Sequence, residues 1–431
     1  MSTQIPDAAP SASVASAVDR QMPRSRRIVS MDQYRGYAVV GMFVVNFLGG
    51  LSVTHQFLKH NNTHFSWADS IMPAFIFACG FSFRLSVLKR LPRIGRWKTC
   101  VGILRRSTAL LLISLVMYGS GNELKTWSEL TTGSGIGEFV AHVVKADLWE
   151  VLAIIGVCQV LVLPFIEFSS KARLAVAVAL SAGHIAISAW FNYAFVTGQP
   201  NGLDDLWGTV GRRAWDGGLF GLMSWSVPML AGTLVYDLMS SRTARKTVLP
   251  LLAWGCGLMA LGYLVSCLTT LYDVRESNAV EVTQAAGEKY AASPVLPPWQ
   301  NIKGRDWNTL LAEPPFVPPP STAERKVNYW AMDKRVSTQS FIWFATGFSC
   351  VMYALFILVC DLGGLQSRLF AMFGENALAA YVIHHSVQEL VRQIVPKDSP
   401  SWYAAFGLLL FSSITWLFVR HLQKANIFLK L

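Results

Sequence analysis

Ten stretches of about twenty mostly apolar residues recur along the 431-residue chain, and no other feature constrains its fold as strongly. They run roughly 34–53, 68–88, 102–119, 148–166, 173–195, 217–238, 248–270, 339–361, 368–391 and 402–420. A helix needs about 20 residues to cross the hydrocarbon layer of a membrane. Inside that layer the backbone finds no water to bond, so a run of this length folds as a helix. The sequence therefore predicts an all-α, polytopic membrane helix bundle of about ten transmembrane helices. Only 15% of the residues are charged and 52% are hydrophobic, whereas about 25% are charged in an average soluble domain. That deficit excludes an ordinary soluble enzyme and a disordered chain.

The formal net charge of +11 does not imply nucleic acid, because the basic residues flank the apolar runs. Such flanking charge orients a membrane protein. With the N-terminal tail placed in the cytoplasm, the inner side collects 21 Lys and Arg and the short outer loops collect 7. Both termini are thus expected inside. Residues 1–28, rich in Ala, Ser and Pro, read as a disordered cytoplasmic tail. Residues 29–431 read as one transmembrane domain with a long extracytoplasmic loop at 271–338. Two Pro-rich stretches, at 294–298 and 314–320, make that loop an extended flap rather than a helix or a central strand. Its aromatics Trp299, Trp307, Phe316, Tyr329 and Trp330 favour packing over looseness.

The seven cysteines are odd in number and form no CxxC pair, so they read as small buried hydrophobes rather than as disulfides or a zinc site. No phosphate loop, dinucleotide fingerprint or serine elbow is present. Two clusters of polar residues could carry chemistry. The first runs from Asp32 and Arg35, three apart at a helix start, through Asn46 to His55, Lys59, His60, His64 and Asp69. Three of the eight histidines fall in one short connection, and a histidine both takes and gives a proton near neutral pH. The alternative reading of Asp32 and Arg35 is a helix anchor. No metal is expected, because the spacing lacks a zinc pattern and Asp69 is the one clear carboxylate partner.

The second cluster lies in the ninth run, where Asn376 precedes Tyr381 and His384. Tyr381 and His384, three apart, share a helix face with Asn376 near it. These residues serve either helix-to-helix hydrogen bonding or a substrate cavity. The basic segment from Lys89 to Arg106 fits phosphate binding as well as positive-inside topology, with Lys98, Arg105 and Arg106 as the candidates.

The run Ser30-Met-Asp-Gln-Tyr-Arg-Gly36, then Val45-Asn-Phe-Leu-Gly-Gly50, Lys59-His60 and Ala68-Asp69 through Pro73, Phe75, Phe77 and Gly80 resembles the catalytic region of the heparan-α-glucosaminide N-acetyltransferase family. Gly374, Asn376, Tyr381, His384 and the ending Asn426-Ile-Phe-Leu-Lys-Leu431 resemble the family's C-terminal part. The clear matches cover about 60 residues at each end of the domain. The likeness is to a bacterial-type member without the large N-terminal extramembrane domain.

The resemblance implies a membrane acyltransferase moving an acetyl group from cytosolic acetyl-CoA to an amino-sugar or similar acceptor outside, in a bacterial inner membrane, with a homodimer as one assembly. It makes His60 the catalytic histidine, with Asn46 working beside it, and Asp32, Arg35, Asp69, Asn376, Tyr381 and His384 as supporting residues. A longer spacing from Asn46 leaves His55 and His64 as rivals of His60. The alternative is a proton-coupled small-solute transporter using the same histidines as a relay.

Overall fold

The computed structural model describes residues 28–119, 125–131, 134–272, 290–319 and 326–429. The expected tail lies outside the described residues up to position 27, as do 273–289 and 320–325 of the long loop, Lys430 and Leu431. Among the described residues the fold is all-α, with one isolated bridge, Tyr290 to Val327, and no strands. Its principal helices are α1 (Val29–Leu48), α2 (Trp67–Tyr118), α3 (Val151–Val162), α4 (Ser170–Ile187), α5 (Gly218–Ser241), α6 (Ala244–Ser266), α7 (Gln339–Phe356), α8 (Arg368–Glu375), α9 (Ala377–Arg392) and α10 (Ser401–Lys424).

Among the described residues, six helices are long and apolar enough to cross a membrane, and a seventh crossing arises if Gly135–Asp147 and Val151–Phe165, bent by 88°, form one span. This is fewer than the ten runs in the sequence, for reasons visible in the chain. The first turns of α1 carry Asp32, Gln33 and Arg35, which lower its hydropathy. The second and third runs merge into α2, whose 52 residues would extend about 78 Å if straight. They are not straight, because Gly95 breaks the helix at φ 78°, ψ 167°, a conformation costly for any residue with a Cβ. Beyond the break the chain turns back, so that a Cβ on Gly102 would lie 3.9 Å from Arg90 Nη1. In a straight helix those positions stand about 18 Å apart. The ninth run is split at Asn376 into α8 and α9.

The centre of the bundle is α2 and α5, each with 72% of its most apolar stretch buried, whereas the α4 and α6 spans bury 22% and 17%. The peripheral helices turn Val178, Leu249, Trp254, Leu264 and Leu409 outward. Large exposed apolar side chains of this kind suit a helix facing lipid. Hydrogen bonds sort the helix ends into two sets. At one end Ser30 Oγ donates to Asp361 (2.6 Å), Gln33 to the Ser367 carbonyl (3.1 Å), Gln423 to Glu375 (2.9 Å) and Asn376 to the Ile427 carbonyl (3.3 Å). Arg84 and Arg173 share Asp237 there, tying α2 and α4 to α5. This is the basic end, and both ends of the described chain lie at it. At the other end Arg392 donates to the Asn46 carbonyl (2.6 Å) and Gly217 to the Arg335 carbonyl (2.6 Å).

Candidate active site

The connection from α1 to α2 is organised around one carboxylate. Ser66 caps α2, and its side chain accepts from the Asp69 backbone N–H (3.2 Å). Asp69 completes the capping box, with Oδ2 accepting from the Ser66 backbone N–H (3.2 Å), the Ser66 hydroxyl (2.8 Å) and the Asn61 backbone N–H (3.3 Å). Its other oxygen, Oδ1, lies 2.8 Å from His60 Nδ1. Asp69 is buried while the His60 side chain is 44% exposed. A carboxylate at Nδ1 fixes the tautomer with its proton there and leaves Nε2 free to accept a proton. This is the geometry of a general base.

The two rival histidines are held differently. The His55 side chain accepts from the Phe57 backbone N–H and caps a single helical turn. His64 is buried beside Thr63, and burial pushes its pKa below the ordinary histidine value against the pull of Asp69. Among the described residues, His60 alone of the three pairs directly with a carboxylate.

Asn46 does not hydrogen-bond His60 in this structure; its side-chain amide lies 3.2 Å from His384 Nε2. His384 Nδ1 bonds the Tyr381 carbonyl one turn back, and the Tyr381 hydroxyl lies 2.8 Å from that of Tyr118. Phe43 covers the His384 ring at 5.2 Å. Tyr381 and His384 therefore share a face, with ring centroids 5.2 Å apart. Asn376 stands about 12 Å away along the helix axis, at the α8–α9 break, where it holds the Ile427 carbonyl.

Lys334 and Asp216 form a buried ion pair at the same end, with Nζ 3.2 Å from Oδ1 and 3.4 Å from Oδ2. Burial alone would lower the Lys334 pKa, but Asp216 and Asp69 outweigh it and hold the ammonium above the ordinary lysine value, with Glu150 adding to the effect. The adjoining Asp333 is buried, which pushes its carboxyl up to about 7 despite the backbone N–H groups of Val336 and Arg335. Glu150 also acts on Tyr118 and Tyr381. Lys334, Asp216, Asp333 and Glu150 thus gather charge at the end of the bundle that holds the His60–Asp69 pair.

The long loop packs over this region. Phe316 lies against Phe57, Phe65, Phe344 and Phe348 at 5.4–6.2 Å. Tyr329 and Trp330 are buried, while Trp299 and Trp307 stay exposed at 59% and 85%, so only part of the expected aromatic packing forms.

At the basic end, Arg35 donates to the Gly374 carbonyl (3.1 Å) and to Ser82 (2.5 Å), with Asp32 at 3.6 Å. Lys98 and Arg105 point outward, but Arg106, a residue further round the helix, turns inward. Its Nε is buried without a hydrogen-bond partner among the described residues, and Arg90 and Arg35 act on it electrostatically. A cleft of about 360 Å³ opens nearby between Gln33, Phe356, Cys360, Ser367 and Phe370.

Residues 27–264 match the family described as heparan-alpha-glucosaminide N-acetyltransferase, catalytic. The chain belongs to this family. A comparison with curated proteins gives no match. The family is one of membrane acetyltransferases, and the chain is a multi-pass membrane protein. The matched residues hold His60, Asp69, Glu150 and Asp216, with Arg106 at the basic end, whereas Lys334, Tyr381 and His384 follow them in the chain and fold back onto the end that holds His60.

Sequence reasoning missed Lys334, Asp216, Asp333 and Glu150. An Asp-Lys-Arg run after a Pro-rich loop reads as solvated, and nothing in its spacing shows that it enters the bundle. The available signal was the neighbouring pair Tyr329-Trp330, whose apolar bulk needed a place to be buried.

Proposed function

We propose that this protein transfers an acetyl group from cytoplasmic acetyl-CoA to an amino-sugar or similar acceptor on the other side of a bacterial plasma membrane. In this reading residues 29–431 form one catalytic domain, the basic end and both termini face the cytoplasm, and the acceptor arrives beneath the 271–338 loop. The observation that carries it is the His60–Asp69 pair, a base with a free Nε2, at the opposite end of the bundle from the inward-turned Arg106. Arg106, with a buried unpartnered Nε and with Arg35 and Arg90 beside it, fits an anionic phosphate better than Lys98 or Arg105, which point away.

In the transfer step the acceptor nitrogen or oxygen attacks the thioester carbonyl. His60 Nε2 removes the acceptor proton, the carbonyl re-forms as the C–S bond breaks, and the proton passes to the departing thiolate. Asp69 holds the imidazole in the accepting tautomer and stabilises the imidazolium while it lasts. Asn46 and His384 form a second hydrogen-bonded pair that aligns α1 with α9 at the same level.

The test is transfer in oriented proteoliposomes, with labelled acetyl-CoA inside and a panel of amino sugars outside. Label on the outer acceptor that depends on His60 is the expected result; transfer at the same rate by His60→Ala would overturn the reading. Arg106→Gln is expected to raise the KM for acetyl-CoA about tenfold, the loss of about 1.4 kcal/mol from one charged contact. An equal rise in KM for S-acetylpantetheine, an acetyl donor without the phosphates, would overturn the assignment of Arg106 to the phosphates of acetyl-CoA.

A further inference from the structure

We propose that residues 296–311 of the long loop are a membrane-surface anchor, with Trp299 and Trp307 lying in the headgroup layer of the outer leaflet. The inference is independent of the chemistry assigned to His60.

The sequence favours packing for the loop's aromatics, yet the protein leaves Trp299 and Trp307 uncovered. The reason lies in how the segment is tied down. Its start is held by the buried pair Tyr329-Trp330: the Pro294 carbonyl accepts from the Tyr329 N–H (2.9 Å) and the Val295 carbonyl from the Trp330 indole (3.0 Å). The rest is bonded to the far end of the α6 span. Asn301 donates to the Leu271 carbonyl (2.6 Å) and Arg305 to the Thr270 carbonyl (2.8 Å). In return the Thr270 hydroxyl donates to the Leu310 carbonyl (3.3 Å) and the Tyr263 hydroxyl to the Ala312 carbonyl (2.8 Å). Between these attachments Trp299, Ile302, Trp307 and Leu311 all stand exposed. In the tight helical turn Trp299–Ile302, side chains three apart eclipse each other, so Trp299 and Ile302 share a face. A segment fixed by its own hydrogen bonds, yet holding two tryptophans away from the protein, presents them to a partner.

Depth identifies the partner. The apolar α6 span runs Ala244–Tyr272 and starts at the basic end, beside Arg242, Arg245 and Lys246. The hydrocarbon layer takes about 20 helical residues, so counted from Lys246 its outer edge falls near Cys267. Tyr263, Thr270 and Leu271, which carry the loop, straddle that edge. Leu264, one residue round the helix from Tyr263, faces outward with Leu261. The loop therefore continues the lipid-facing surface of α6 at the height of the headgroups. Tryptophan suits that height, because its ring is apolar while its N–H wants a polar neighbour. Lys303 and Asp306, both exposed beside the tryptophans, suit the wet side of the same boundary. A second copy docked on this face would have to desolvate both charges, a cost that a headgroup layer does not impose.

The test uses the full-length protein, labelled with fluorotryptophan, in nanodiscs of phosphatidylcholine and phosphatidylglycerol. Trp299→Phe, Trp307→Phe, Trp254→Phe and Trp330→Phe assign the fluorine resonances by loss. Two broadening agents are compared: a lipid with a nitroxide near the top of its acyl chain, and a water-soluble gadolinium chelate. Trp254, exposed near the middle of α6, serves as the reference for lipid contact, and the buried Trp330 as the reference for none. The Trp299 and Trp307 signals are expected to lose most of their intensity to the labelled lipid, several-fold more than to the chelate. Broadening by the chelate that equals or exceeds that by the lipid, at either tryptophan, overturns the proposal, because the loop then stands in water. A signal at either position that neither agent reaches also overturns it, because protein, such as a second copy of the chain, then covers the ring. Neither measurement needs acetyl-CoA or turnover, so this inference and the acetyltransferase reading stand or fall separately.

Discussion

Asp69→Asn is expected to lower acetyl transfer by about 10²–10⁴-fold while leaving the protein folded. The asparagine keeps one oxygen that can still accept from Ser66 or from the Asn61 N–H, so the start of α2 stays capped. What it loses is the negative charge 2.8 Å from His60 Nδ1. An amide there can present its NH₂ to Nδ1, which selects the wrong tautomer and places a proton on Nε2, where the acceptor's proton should go. The complementary variant is Ser66→Ala, which removes the cap hydroxyl but leaves the carboxylate. It is expected to cost about 1 kcal/mol of stability with transfer within a few-fold of the wild type. Turnover with labelled acetyl-CoA and melting in detergent, measured side by side, separate the two jobs. If Asp69→Asn kept full turnover, or if Ser66→Ala lost as much as Asp69→Asn, the carboxylate would be a helix cap and nothing more.

Much of this arrangement was legible in the sequence, and what was not has a common cause. The helical runs declare themselves because a membrane leaves the backbone few alternatives. The loop histidines and Asp69 stood out because they crowd into one short connection. The partnership of Tyr381 with His384 followed from a spacing of three on a helix. By contrast, Asn46 meets His384 across 338 residues of chain, and Lys334 meets Asp216 across 118. Helical periodicity reports which residues share a face, not which faces meet. Hydropathy counts apolar stretches, and it does not show that Gly95 turns the chain back between two of them or that Asn376 divides another. Arg105 and Arg106 looked equivalent as letters, yet a rotation of about 100° per residue sends one outward and the other towards Arg35 and Arg90.

The glycines of the two resembling motifs carry the remaining prediction. Gly36, beside Arg35, and Gly374, two residues before Asn376, lie where α1 crosses α8. A Cβ on Gly36 would come within 1.9 Å of the Phe370 carbonyl oxygen, and one on Gly374 within 2.1 Å of the Asp32 carbonyl oxygen. Both obstacles are backbone, so neither can rotate away. Small residues at a membrane helix crossing let backbones approach this closely, and dispersion contacts then replace the hydrophobic drive that lipid does not supply. The same contact aims Arg35 at the Gly374 carbonyl, so the two motifs place the basic end by packing before any ligand is involved. Gly36→Val and Gly374→Val are each expected to cost about 3 kcal/mol or more, seen as a large fall in melting temperature and a loss of monodisperse protein in detergent. Gly257→Ala is the control. It lies in α6 with nothing within 4 Å of its Cβ position, and the change should leave stability unchanged or raise it by up to about 1 kcal/mol. If Gly36→Val melted with the wild type, α1 and α8 would not meet as described, and the Arg35 contact with the Gly374 carbonyl would not depend on that crossing.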